Sequence, residues 1–252
     1  YLHLATELGY KIHHNKNSFV QVNGNHAYHF DAHKVGQYFK KISDTVTHID
    51  SEVEQVQLNS ESGYVDGVKL SNGDTVKGDM FIDASGFNQV LMKAVGGKWK
   101  SYRDNLPVNG ALPFLLPYED DEVIQPVTNA WAQNNGWCWQ IPTKNRRGCG
   151  YVFCDSFVTP DQAHAELEQT IGRKVEPIRH IKFDSGRQET LWIKNVLSIG
   201  LCAAFAEPLE ATSIHTTIMQ LKHFVYACLG QTQQETCNDG TVDDYNLKNG
   251  HL

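Results

Sequence analysis

The 252-residue chain contains no C-x-x-C pair, no G-x-G-x-x-G, no G-x-S-x-G and no H-E-x-x-H. These gaps remove the signatures of a dithiol redox centre, a dinucleotide finger, a serine-hydrolase elbow and a zinc protease. No apolar run approaches the roughly 20 residues that a bilayer span requires. The opening YLHLATELGYKIHH carries no signal-peptide pattern. Positive charge is scarce as well: 22 Lys and Arg stand against 29 Asp and Glu, giving a net charge of -7, and they are scattered. Nucleic acid and an anionic membrane are therefore excluded as the main partner. Repeats and low-complexity segments are absent.

Cysteine is present but not in disulfide-framework spacing. The six residues 138, 149, 154, 202, 228 and 237 mostly sit in apolar surroundings. They read as small buried hydrophobes of a reducing, cytoplasmic compartment. His29 and His33 flank Asp31, but no third ligand has suitable spacing, so no metal site is expected. At 40% hydrophobic content the chain can build one large domain, or a domain with a subdomain. It lacks an initiator Met and opens inside a helical pattern, which predicts an internal fragment of a longer protein.

Asp31 is a natural N-cap for a helix carrying Val35, Tyr38 or Phe39, and Ile42 at helical spacing. Short β-rich segments follow: VTHID, VEQVQL and GVKLSNGDTVKGDMFIDASGF, with Asn72-Gly73 as a hairpin turn. From about Asn109 to Phe157 the pattern predicts a broad antiparallel sheet. TPDQAHAELEQTIG is a marked helix, with a Thr159–Gln162 capping box, Pro160 at its first position and Gly172 closing it. A later strand, Val196 to Ile199, leads through a loop into a helix. There Ile214, Ile218, Leu221, Val225 and Cys228 are expected to face inward.

Three stretches could carry chemistry. GWCWQIP, Gly136 to Pro142, uses two of only five tryptophans, and alternation sets Trp137 and Trp139 on one face of a strand. Two indoles there either fill a core or wall off a chamber. In FAEPLEATSIH, Thr212 or Ser213 is an N-cap candidate, and the helix amides behind it make an anion site. Glu210, between Leu209 and Ala211, is either a solvated loop acid or a reactive carboxylate. In DMFIDASGF, Asp83 either touches a ligand or satisfies backbone donors at a strand end.

YHFDA, DMFIDASGF, GWCWQIP, GCGYVF and SIG…AFAEPLEATSI, in this order and spacing, make the chain resemble the flavin-dependent tryptophan-halogenase family from about His26 to Leu229. The W-x-W-x-I-P signature, here Trp137, Trp139, Ile141 and Pro142, is the specific part. The resemblance implies an α/β (α+β) fold: a Rossmann-like FAD-binding domain of the flavin-hydroxylase type with a large antiparallel β-sheet substrate region. It implies part of the FAD domain over 1–100, the sheet region over 101–190, and a return to the FAD domain over 191–252.

The same likeness implies a reduced flavin supplied by a separate flavin reductase, O₂, and a halide ion oxidised to a hypohalous acid. That acid crosses an internal tunnel to a small, electron-rich aromatic substrate. Glu210 matches the family's glutamate, Thr212 and Ser213 its halide-holding pair, Leu201 a position beside the flavin, and Val53 a backbone contact to the adenine half. Trp137 and Trp139 would stand between flavin and substrate. The family's F-x-x-P-x-S-x-G is altered here, with Ala211 for serine and Ser213 for glycine. No residue matches the family's glycine finger or catalytic lysine, so the chain alone is expected to hold FAD weakly. A flavin monooxygenase and a non-enzymatic binding module are the competing readings; substrate and homo-oligomerisation stay open.

Overall fold

Large apolar residues alternating with small or polar ones build the longest strands. A computed structural model describes residues 28–125, 127–206, 209, 212–228 and 239–249. In chain order the elements begin with α1 (Ala32–Ile42), β1 (Val53–Leu58), β2 (Val65–Leu70), β3 (Thr75–Lys77), β4 (Phe81–Asp83), α2 (Val90–Ala94) and β5 (Trp99–Ser101). Then come β6 (Gly110–Pro117), β7 (Asn129–Gln133), β8 (Gly136–Pro142), β9 (Arg146–Phe153), α3 (Pro160–Ile171) and β10 (Ile181–Lys182). The last are β11 (Gly186–Gln188), β12 (Trp192–Ile193), β13 (Val196–Ser198), β14 (Ala204–Phe205), α4 (Thr212–Cys228) and α5 (Asp239–Asn249). VTHID forms no strand; pairing begins only at Val53.

Two compact units result. One holds residues up to Thr47 together with Gly110–Lys182, the other His48–Asn109 together with Phe183 onward. In unit one a five-stranded antiparallel sheet has the order β10-β6-β9-β8-β7. One of its faces is the hydrophobic core. Leu112, Phe114, Leu116, Cys138, Cys149, Tyr151 and Phe153 point there against Ala163 and Leu167 of α3. The helix is set by its caps: the Thr159 hydroxyl accepts from Gln162 N, the Gln162 side chain accepts from Thr159 N, and Gly172 closes it at φ 76°. Glu166 fastens α3 to the sheet by accepting from Asn134 N (2.7 Å) and the Tyr151 hydroxyl (2.8 Å). Asp31 caps α1 and pairs with Arg146 at 3.0 Å; the Lys34 amide and then that guanidinium hold its carboxyl below the ordinary range.

Unit two carries three short sheets. β1-β2-β3 is an antiparallel meander whose second turn is Asn72-Gly73, with Gly73 at φ 91°. β12-β13-β4 contains a parallel pair, β13 beside β4, with Val196 opposite Phe81 and Ser198 opposite Asp83. β14-β11-β5 is the third. Trp192 and Leu197 pack with Tyr245 of α5, while Val65, Met92, Val196 and Cys202 form a second cluster.

Asn246 of α5 completes the edge of β12. Its Oδ1 accepts from Leu191 N (3.0 Å) and Trp192 N (2.8 Å), and its Nδ2 donates to Trp192 O (2.8 Å). Asn246→Ala strips three hydrogen bonds from edge backbone and is expected to destabilise the protein by about 2 kcal/mol. A urea midpoint equal to the wild type's would contradict this.

Of the expected stripe of α4, Cys228 packs against the Trp192 and Leu197 cluster, but the other four positions are not where the periodicity puts them. Ile214, Ile218, Leu221 and Val225 are 56, 46, 38 and 53 % exposed. The helix is held from another side, by polar side chains that a hydrophobicity pattern does not weigh. Gln220, 2 % exposed, accepts from Gly200 N at 3.3 Å, and its carbonyl accepts from the Tyr245 hydroxyl at 3.2 Å. His223 Nδ1 meets Asn249 Oδ1 at 2.7 Å, and Phe224 lies 5.7 Å from Trp192 between ring centroids. Among the described residues no helix is long and apolar enough to cross a membrane.

Candidate functional site

In unit two, the parallel strands β4 and β13 end side by side, and each runs straight into a single 3-10 turn. These are Gly86–Asn88 and Gly200–Cys202. Both turns start with a glycine at positive φ, 66° for Gly86 and 60° for Gly200. An added Cβ at Gly86 would meet nothing within 4 Å, and one at Gly200 only the Thr217 hydroxyl at 3.7 Å. The carboxyl ends of parallel strands are where open α/β sheets take ligands. Bare backbone with open space beside it fits the approach of a flat flavin ring. Leu201 lies half-buried in the second turn. Val53 opens the edge strand β1 and is 39 % exposed.

Asp83 sits at the end of β4, 2 % exposed. Its Oδ1 accepts from Ser85 N (3.0 Å) and the Ser85 hydroxyl (2.6 Å), and its Oδ2 from Leu91 N (2.8 Å) and Met92 N (2.9 Å). Both oxygens are used within the protein, so Asp83 satisfies backbone donors and organises the turn. Burial works against its charge, yet the hydrogen bonds from Ser85, Met92 and Cys202 outweigh that and hold its pKa below the ordinary value. The Cys202 thiol is driven the other way, first by burial and then by Asp83 itself.

The described residues of helix α4 begin at Thr212, so Thr212 and Ser213 stand at the start of that stretch. Their amides lie in the first turn of this 17-residue stretch, which has no acidic side chain. The hydroxyls of Thr216 and Thr217 fold back onto Ser213 O at 3.0 and 2.7 Å. Gln220 and Gly200 tie this helix to the turn that carries Leu201. Glu210 lies outside the described residues.

Trp137 and Trp139 belong to unit one, on the sheet face opposite the α3 core. The core face of β8 is held by Cys138, fully buried, whereas both tryptophans are half-buried and outside the core cluster. Their rings are 6.0 Å apart between centroids and inclined at 57°. A core-filling role on the helix-covered side is thus ruled out by register alone. Gln220, on α4 in unit two, and Gly150, on β9 beside the tryptophans, carry no motif that singles them out: a hydrophobicity pattern does not weigh the one, and the other lies inside a strand pattern. The signal that could have found Gly150 is its place across from Trp139 once β8 and β9 pair.

The two histidines have protein partners: His29 Nε2 lies 3.0 Å from the Thr128 hydroxyl and His33 Nε2 2.9 Å from Gln37 Nε2. No group of three metal-ligating side chains occurs among the described residues.

A family model for tryptophan halogenase matches residues 4–250. The tryptophan 7-halogenase RebH of Lentzea aerocolonigenes is 35% identical over 214 residues, covering 82% of this chain and 39% of its own length. The tryptophan 6-halogenase ThaL of Streptomyces albogriseolus is 32% identical, over 81% of this chain and 38% of its own. Among solved structures, the flavin-dependent halogenase BrvH from Brevundimonas sp. BAL3 superposes with a TM-score of 0.81 at 30% identity, covering 88% of this chain and 45% of that one. The chain spans less than half the length of these relatives. Its fold is α/β with antiparallel sheets, as in the flavin-dependent halogenases, and the chain belongs to the tryptophan halogenase family.

Proposed function

We propose that this chain forms part of an FAD-dependent halogenase that uses O₂ and a halide to halogenate an electron-rich aromatic ring. In this reading residues 1–100 and 191–252 supply part of the FAD-binding domain and 101–190 the substrate region; these bounds differ from those of the two compact units, since unit one joins residues up to Thr47 to the sheet. The observation that carries the reading is the indole pair, standing off the hydrophobic core of its own sheet within the W-x-W-x-I-P signature.

Bound FAD, reduced by a separate flavin reductase, supplies activated oxygen. The chain's own residues do the rest. The Gly200–Cys202 turn with Leu201, and the backbone at Val53, receive the cofactor. The amides of Thr212 and Ser213 hold the halide, aided by the helix dipole. Glu210 takes the hydrogen bond of the hypohalous acid and orients it toward the arene. Rigid indoles at 137 and 139 stop a bulky ring while a small acid passes, and they exclude water that would quench the oxidant. The buried thiols fit a reducing, cytoplasmic setting.

The test supplies the full-length protein with a flavin reductase, FAD, NADH, bromide and an indole or phenol, then reads product mass. Bromide is the choice because a softer halide needs less oxidising power and Ser213 replaces a glycine at the anion turn. Bromination is expected; a hydroxylated product would instead establish the monooxygenase reading.

A further inference from the structure

We propose that Gly150 is a positioning residue for the indole pair: its missing side chain is the seat on which Trp139 rests. Gly150 stands directly across from Trp139 in the β8–β9 pairing. Its backbone is not among those at positive φ, so the position does not need glycine for conformation. It needs glycine for room. The nearest atoms to a Cβ built at Gly150 are Cη2, Cζ2 and Cζ3 of Trp139, and the Cβ would overlap that ring.

The benzo edge of the indole therefore occupies the space that a side chain at Gly150 on β9 would take. That pose fixes the 6.0 Å, 57° relation to Trp137, which faces Val152 and has no such seat. Gly148 is the control built into the same strand. It lies on the same face two residues earlier, yet a Cβ there would meet only Ile141 O at 3.9 Å. Of the two glycines in G-C-G, only one is load-specific to the tryptophan. Any side chain at 150 lifts the Trp139 ring off the sheet and moves the wall; the consequence for product rests on the halogenase reading, while the seat itself does not.

Two indoles at this spacing couple their excited states, which appears as a couplet in the far-ultraviolet circular dichroism. Trp139→Phe defines the part of that signal due to the pair. Gly150→Ala is expected to lose more than half of it, and Gly148→Ala to keep it. A Gly150→Ala couplet equal to the wild type's would overturn the proposal. Should Gly150→Ala fail to fold, the double variant Gly150→Ala with Trp139→Leu decides the matter: recovery of the fold supports the seat, and no recovery sinks it. Loss of the couplet with an unchanged bromination profile in the full-length protein leaves the seat standing and removes the barrier reading instead.

Discussion

Replacing Glu210 by glutamine is expected to slow halogenation by about two to three orders of magnitude while FAD binding stays unchanged. The exchange keeps size and shape. It removes the negative charge and turns an acceptor-only carboxylate into a group that presents two donors. An oxidant that needs its proton accepted and its halogen turned toward the arene loses both services. Glutamate stands two residues before Thr212 in sequence and eight after Cys202, outside the Gly200–Cys202 turn. Single-turnover bromination by the full-length Glu210→Gln protein, with flavin binding followed by absorbance, provides the check. Unchanged turnover would show that the carboxylate has another role.

The second large effect falls on stability. Asp83→Asn sets an amide donor against backbone donors that now point at carboxylate oxygen, at a buried site with four close hydrogen bonds. The expected loss is about 3 kcal/mol at neutral pH. Its pH dependence has a definite sign. The folded carboxyl is held below its unfolded value of about 3.9, so its contribution is fully present above that pH. It fades as the pH falls through the lower folded value. Urea midpoints of the two proteins should therefore lie far apart at pH 7 and draw together on acidification below about pH 4. A gap that widened in acid would contradict the assignment.

Local signals in the chain proved legible. The capping box of α3, its glycine stop, the Asn72-Gly73 hairpin and the long strands around Gly136–Phe153 all rest on neighbours within a few residues. Alternation also told that Trp137 and Trp139 share a face. It could not tell which face, because that depends on where α3 packs, a matter of distant chain segments. The apolar stripe of α4 misled for the same reason: Gln220, His223 and Phe224 anchor the helix through partners 20 to 32 residues away. Gly150 gains meaning only through strand register, which no single-strand pattern contains. VTHID has strand-forming residues but no partner strand among the described residues, and propensity alone did not suffice.

The placement of sulfur has a consequence for an enzyme of this kind. Cys138, Cys149, Cys154 and Cys202 are all buried, and burial pushes the first two up to about 12. Thiolate is the form that electrophilic halogen attacks fastest, and at neutral pH Cys138, Cys149 and Cys202 hold almost none of it. A catalyst that releases hypohalous acid within its own walls destroys itself at whatever nucleophile it leaves in the path. On the halogenase reading proposed above, thiols of Cys138, Cys149 and Cys202 kept protonated, and all four cysteines buried, would spare the polypeptide from its own oxidant and lengthen its working life.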